Sequence, residues 1–260
     1  MKISRSVPMF ATVAASVVCV LAFASPARAD DGGLQFSIAP YIWFAGINGD
    51  ASVAGINVPV DKTFSQIIGE ADSVLGFFAR IDAQYDRLGF YVDGGFTRLA
   101  MSTAIPTGTA KATFDTGMAD FAMTFRVLDW PGPDINAPGA AVYGLLGGRY
   151  MSLSGNLSFP RFSVNQGAQW VDPMIGVEGY VDLGSHFRIL LHGDVGGLTN
   201  ELTWSGAGYV AYVFNIGSVE SSVFLGYKAI GEDYSTGSGR SEFAWNTILH
   251  GPVLGMSFRF

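Results

Sequence analysis

The chain ends His250-Gly-Pro-Val-Leu-Gly-Met-Ser-Phe-Arg-Phe260. Leu254, Met256, Phe258 and Phe260 alternate with Gly255, Ser257 and Arg259. Successive side chains of a strand point to opposite faces, so this spacing describes a strand with one apolar face and one small or polar face. A chain that stops on an aromatic residue of the apolar face is the pattern with which a transmembrane barrel closes. Each face of every strand is thereby assigned its own solvent.

The other end agrees. Met1 to about Ala29 carries Lys2 and Arg5, an apolar run from Val7 to Phe23, and Ser-Pro-Ala-Arg-Ala before Asp30. That order is the pattern of a secretory signal peptide with a small-residue cleavage site. The expected organisation is a signal peptide over 1–29 and one domain over 30–260, without internal repeats. The only cysteine, Cys19, falls in the expected leader, which leaves the exported chain without a disulfide or a thiolate metal site. Removing Lys2, Arg5 and Arg28 leaves 12 basic against 22 acidic residues, a net charge near −10, which excludes nucleic acid as a partner.

Hydrophobic residues make up 49% of the sequence and charged residues 14%, yet after the leader no apolar run approaches the ~18 residues a spanning helix needs. High apolar content without long apolar runs results when lipid-facing and lumen-facing residues alternate. Period-two segments are placed at about 34–44, 73–85, 87–101, 109–127, 139–153, 168–182, 186–198, 201–214, 218–232 and 242–260. Tight connections at Tyr85-Asp86-Arg87, Leu183-Gly-Ser-His186 and Asn215-Ile-Gly217 alternate with longer ones, as periplasmic turns alternate with extracellular loops. The Pro-rich break from Asp129 to Pro138 lies on the turn side. The expected fold is therefore all-β, a closed antiparallel transmembrane β-barrel of about ten strands in the outer membrane. Eight or twelve strands also satisfy the pattern, because Asp50 to Asp61 reads as an extra hairpin arm. The competing architecture is a secreted sandwich with its aromatic residues in a core.

Parity assigns the faces. In the first strand Leu34, Phe36, Ile38, Pro40, Ile42 and Phe44 face lipid, while Gln35, Ser37, Ala39, Tyr41 and Trp43 face inward. Outward Phe44, Tyr150 and Trp204 at the loop end, with Tyr85, Phe214, Phe258 and Phe260 at the turn end, fit two aromatic girdles. The lumen collects Arg80, Asp82, Asp93, Asp120, Arg126, Arg149, Asp172, Glu178, Arg188, His192, Asp194, Glu220, Lys228 and Glu232. Both signs interleave along a wall only slightly wider than that of an eight-strand barrel. The same residues serve a sealed ion-pair network or the lining of a narrow selective pore. The connection after the first strand holds the turn signal Ile47-Asn-Gly-Asp50 and then Thr63 and Gln66 at capping-box spacing. A short helix there presents Phe64, Ile67 and Ile68 on one face, either packed over the rim or serving as a gate in the mouth.

For catalysis, His192 lies two residues from Asp194 on the inward face, His186 falls in a turn and His250 points outward. There is no G-x-S-x-G or H-E-x-x-H motif, and no metal, nucleotide or phosphate motif. The expectation is a non-enzyme without cofactor, acting as a passive small-solute pore or an envelope structural barrel. The alternatives are an outer-membrane lipid hydrolase centred on His192 and Asp194, or a surface-recognition barrel working through its loops.

Ala39-Pro-Tyr-Ile-Trp-Phe-Ala-Gly-Ile-Asn-Gly-Asp50, Thr63-Phe-Ser-Gln-Ile-Ile68, Trp170-Val-Asp-Pro-Met-Ile-Gly-Val177, Leu225-Gly-Tyr-Lys228 and the terminal segment together resemble a widespread group of small proteobacterial outer-membrane β-barrel proteins. The resemblance implies export, contact with outer-membrane lipid, and insertion by the outer-membrane assembly machinery, with Leu254, Met256, Phe258 and Phe260 as the assembly signal. It carries over no catalytic residue. Lys228 stands where the group leads one to expect Arg, which keeps the charge and loses bidentate pairing. Deleting Phe260 is expected to lower the outer-membrane yield of heat-modifiable protein under strong expression. An unchanged yield would remove the terminal residue from the assembly signal.

Overall fold

The computed structural model describes residues 33–53, 56–106, 108–130, 139–161, 163–198, 201–237 and 243–260. The expected leader, 1–29, lies outside the described residues, as does most of the Pro-rich break, at 131–138.

Ten antiparallel strands form the barrel wall: β1 (Gln35–Trp43), β4 (Ser73–Tyr85), β5 (Leu88–Ile105), β6 (Gly108–Trp130), β7 (Ala140–Ser158), β8 (Ser163–Leu183), β9 (Phe187–Gly196), β10 (Leu202–Ile216), β11 (Val219–Thr236) and β12 (Phe243–Arg259). Neighbours in sequence are neighbours in the sheet, and β1 pairs with both β4 and β12, which closes the cylinder. The seam runs from Ser37 opposite Arg259 to Trp43 opposite Val253. At its end the Phe260 amide donates to the Phe36 carbonyl at 2.8 Å and the Phe36 amide returns the bond at 3.3 Å.

The expected extra hairpin is present as β2 (Gly46–Val53) and β3 (Ile56–Lys62). β2 carries the register of β1 onward along β12, from Gly46 opposite His250 to Val53 opposite Phe243, and β3 pairs with β2 alone. The arm therefore rises from the wall at the loop end without widening the barrel. A row of outward side chains fastens it. Tyr227 Oη lies 2.5 Å from His250 Nδ1, His250 Nε2 lies 2.5 Å from Asn48 Oδ1, and the Asn48 amide donates to Asp61.

Strand ends differ from the sequence expectation chiefly at the loop end, although at the turn end β6 also runs into the expected Pro-rich break, to Trp130 opposite Ala140. At the turn end the breaks are tight, as at Tyr85–Leu88, where Asp86 takes φ 49°, and at Ile216–Val219, where Gly217 takes φ 63°. Two-residue hairpin turns require such left-handed residues. At the loop end the ladders run on to Ile105 opposite Gly108 and Ser158 opposite Ser163, where longer loops were expected. A strand carries the lipid alternation only where one face meets an apolar solvent, so pairing that continues above that level leaves no period-two mark.

Burial follows parity. Ile42 is 56% exposed and Leu225 61%, while Trp43 is 6% exposed. The outside is apolar and the inside carries the charges, the inverse of a sandwich core. Replacing His250 with Ala removes two hydrogen bonds from the arm, about 1–3 kcal/mol of local stability. Protease cleavage within residues 46–62 is expected to accelerate while the barrel's unfolding midpoint holds.

Candidate functional site

The interior has three levels. Nearest the turn end, Arg188 Nε donates to Asp182 at 2.5 Å, Arg188 and Arg259 share Glu220 at 3.4 and 3.2 Å, and Arg188 lies over the Tyr180 ring at 4.6 Å. Across the lumen Arg126 reaches Asp129 at 3.2 Å and lies 5.6 Å from the Tyr143 ring, just before a register shift between Arg126 and Leu128.

The middle level is a chain of shared charges. Arg80 bonds Asp82 and both oxygens of Glu178, with its guanidinium 4.0 Å from the Tyr91 ring centroid. His192 stands between Glu178, 3.3 Å from Nδ1, and Asp194, 2.8 Å from Nε2. Both ring nitrogens can donate only in the imidazolium form. Beside it, Lys228 Nζ donates to Asp93 at 2.9 Å, and the Tyr41 hydroxyl donates to the other Asp93 oxygen at 2.7 Å. The ammonium also sits 5.7 Å from the rings of Tyr41 and Trp43, a cation–π placement. Gly255 makes room here, since a Cβ would lie 2.4 Å from Phe224 and 2.7 Å from Tyr41.

Above these sits Arg149, with no exposed surface. Its Nε and Nη2 donate to the two oxygens of Asp120 at 2.7 and 3.0 Å, Nη2 also reaches Asp194 at 3.2 Å, and Nη1 donates to Thr203 Oγ1 at 2.8 Å. Thr203 in turn donates to Glu232 at 2.7 Å, and Ser205 donates to Asp194. Planar bidentate pairing suits a guanidinium with no water to solvate it. Asp172, opposite Arg149 in the ladder and almost fully buried, leaves Oδ1 without a hydrogen bond. Met151, Ile230 and Val253 have no exposed surface either. They pack with Trp43, Phe78, Trp170 and Phe243 into an apolar layer toward the loop end, where Trp170 stacks on Tyr234 at 4.1 Å.

All fourteen candidate lumen residues lie inside the barrel, but not in one group. Arg126, Arg188 and Glu220 belong to the turn-end level. Arg80, Asp82, Asp93, Glu178, His192 and Lys228 form the middle one. Arg149, Asp120, Asp172, Asp194 and Glu232 form the belt. Tyr41, Asp182, Thr203, Ser205 and Arg259 complete these networks although they were not among the candidates. Each sits at an inward parity position, so the same period-two reading finds them once polar as well as charged residues are collected. Phe64, Ile67 and Ile68 lie on α1 (Phe64–Glu70), which begins with a capping box between Thr63 and Gln66 and buries none of its residues. Phe64 packs edge-on against Phe44, an outward position, with ring centroids 5.1 Å apart, so the helix lies against the wall rather than in the mouth.

Nucleophilic catalysis by a serine, threonine or cysteine needs that side chain within hydrogen-bond reach of its base. Both His192 nitrogens are taken by carboxylates, and Ser205 bonds Asp194 instead of the imidazole. Among the described residues no group of three or more His, Cys, Asp or Glu side chains is arranged to hold a metal ion.

No protein-family model matches the sequence, and no curated protein matches it. Among solved structures the chain is similar to the outer membrane protease OmpT from Escherichia coli, with a TM-score of 0.51 and 10% identity over 91% of this chain and 99% of that one. It is also similar to Ail, the attachment invasion locus protein of Yersinia pestis, with a TM-score of 0.36 and 11% identity over 88% and 99% of the two chains. For the Neisserial surface protein NspA the TM-score is 0.23, with 17% identity over 87% and 97%. At these identities the likeness to OmpT concerns fold alone, that of a bacterial outer-membrane β-barrel.

Removing the guanidinium of Arg149 leaves Asp120, Asp194 and Glu232 buried without their shared cation. Breaking a buried pair from one side costs about 3–5 kcal/mol. Arg149→Ala is expected to lower the unfolding free energy of refolded protein, read from urea titration, by that amount. Arg149→Met combined with Asp120→Leu is expected to recover only the part of the loss due to Asp120, since Asp194 and Glu232 stay without the guanidinium. Equal stability of Arg149→Ala and wild type would mean that the belt contributes little.

Proposed function

We propose that the chain is exported through a signal peptide at 1–29, resides in the outer membrane with both termini in the periplasm, and acts there as a sealed structural barrel rather than a standing pore. The observation that carries this reading is the fully buried Arg149 belt beneath a cluster of buried aromatic and aliphatic side chains. Met151, Met174, Thr203, Ile230, Val253 and Arg149 each have 2% exposure or less, and they come from β7, β8, β10, β11 and β12. A pore lining must keep its charges in water, whereas these charges are spent on one another. The non-enzyme reading is supported by the order Ser205, Asp194, His192, in which the hydroxyl meets the carboxylate.

Refolded protein in a planar bilayer is therefore expected to be electrically silent, with folding confirmed by heat-modifiable migration. Steady, salt-dependent current steps from the wild type would sink the sealed-barrel reading and favour a small-solute pore. Release of fatty acid from outer-membrane lipid that depends on His192 would instead favour the hydrolase.

A further inference from the structure

Below the belt the lumen is not filled. It opens at the turn end as a cup of about 460 Å³, lined from Gln35 and Arg259 at the mouth to Lys228 and Asp120 at the floor. That volume falls within the range of small-molecule sites, ~300–1,000 Å³. A cup closed at its floor holds a solute rather than passing one.

The wall says which solute. It carries five basic and five acidic side chains. The basic ones all have partners: Lys228 with Asp93, Arg80 with Glu178, Arg188 with Asp182, Arg259 with Glu220 and Arg126 with Asp129. An ionic ligand would have to break one of these pairs and desolvate itself in the same step. What the wall leaves unused is hydrogen-bonding capacity rather than unpaired charge. Tyr180 and Tyr209 line the cup and their hydroxyls make no hydrogen bond among the described residues, and Arg126 Nε is buried without an acceptor. Carboxylates in pairs keep spare lone pairs as well. Tyr41, Tyr91, Tyr143 and Tyr180 each hold a cation at the ring, while the lining Tyr209 ring carries none among the described residues and offers an apolar surface next to fixed donors and acceptors.

From this geometry we infer that the cup binds a neutral polyhydroxylated solute of one or two rings, a small sugar by chemical class, entering from the turn end. A C–H face of the sugar lies on the Tyr209 ring, and its hydroxyls take up the tyrosine hydroxyls and the spare carboxylate lone pairs in place of water. The inference rests on the sealed-barrel reading for its blind floor, but binding is measured independently of conductance, so either can fail alone.

The test is calorimetric titration of the refolded full chain in an amine-oxide detergent, which carries no sugar, with sucrose, glycine and inorganic phosphate in turn. Sucrose is expected to bind saturably at one site, with glycine and phosphate giving no saturable heat. Tyr180→Phe and Tyr209→Phe, which delete one hydroxyl each, should weaken sucrose binding by about three- to tenfold. Ala207→Leu, which fills the cup from β10, should abolish it, with heat-modifiable migration retained in all three variants. No saturable heat with sucrose in the wild type overturns the inference. So does tighter binding of glycine or phosphate, and so does sucrose binding that the tyrosine variants leave unchanged.

Discussion

Closure of β1 onto β12 is the constraint on which the remaining structure depends. In a bilayer an unpaired strand edge has no water to satisfy its amides and carbonyls, so the first strand must find the last. The pairing of Phe36 with Phe260 at the seam fixes the register of both strands. Register in turn fixes parity, because a slip of one residue would send Leu254 and Met256 inward and Val253 and Gly255 into lipid. Every inward side chain discussed above is inward because of that one alignment.

Once the wall is closed, the lumen's polar groups have only one another and whatever water can enter. The two halves of the interior resolve this differently. Toward the loop end, buried aromatic and aliphatic side chains cluster inside the wall, with the indole N–H groups of Trp43 and Trp170 left without a hydrogen bond. Toward the turn end, ion pairs line the wall and the centre stays open. Arg149 stands at the boundary, where it is too deep for water and must be satisfied entirely by Asp120, Asp194 and Thr203. One guanidinium there ties together β6, β7, β9 and β10, so the belt braces the barrel across its width as well as closing it.

The sequence made the barrel legible because the lipid-facing alternation is a direct imprint of the solvent. Leu254, Met256 and Phe258 in β12, or Phe187, Leu191 and Val195 in β9, need no tertiary information to be read. The hairpin and the capping box at Thr63 were legible from local chemistry. What could not be read was whether the inward charges touch. Arg149 and Asp194 are separated by 45 residues and two strands, and parity gives their direction without their height. The aromatic seal was missed for a related reason. Trp43, Trp170 and Phe243 are inward by parity, but the interior of a membrane barrel is expected to be polar, so apolar residues there attract no notice in a search for charge. The tall ladders above Met101 and Ser152 lie beyond the level at which lipid writes its pattern.

The placement of α1 bears on how such a barrel could ever open. A lumen closed by a loop segment can be opened by moving that segment, at the cost of a few contacts. Here Phe64 of the helix in the long connection packs against Phe44, an outward residue just beyond β1, and the buried layer inside is made of side chains from the wall itself. Opening would require Arg149 to leave Asp120 and Asp194 and the stacked Trp170 and Tyr234 to part within a covalently continuous cylinder. Those contacts are mutually supporting, so loosening one exposes buried charge before it makes a path for solute. On the sealed-barrel proposal, the arrangement favours a lasting division between the buried loop-end layer and the open turn-end cup over a barrel that alternates between states.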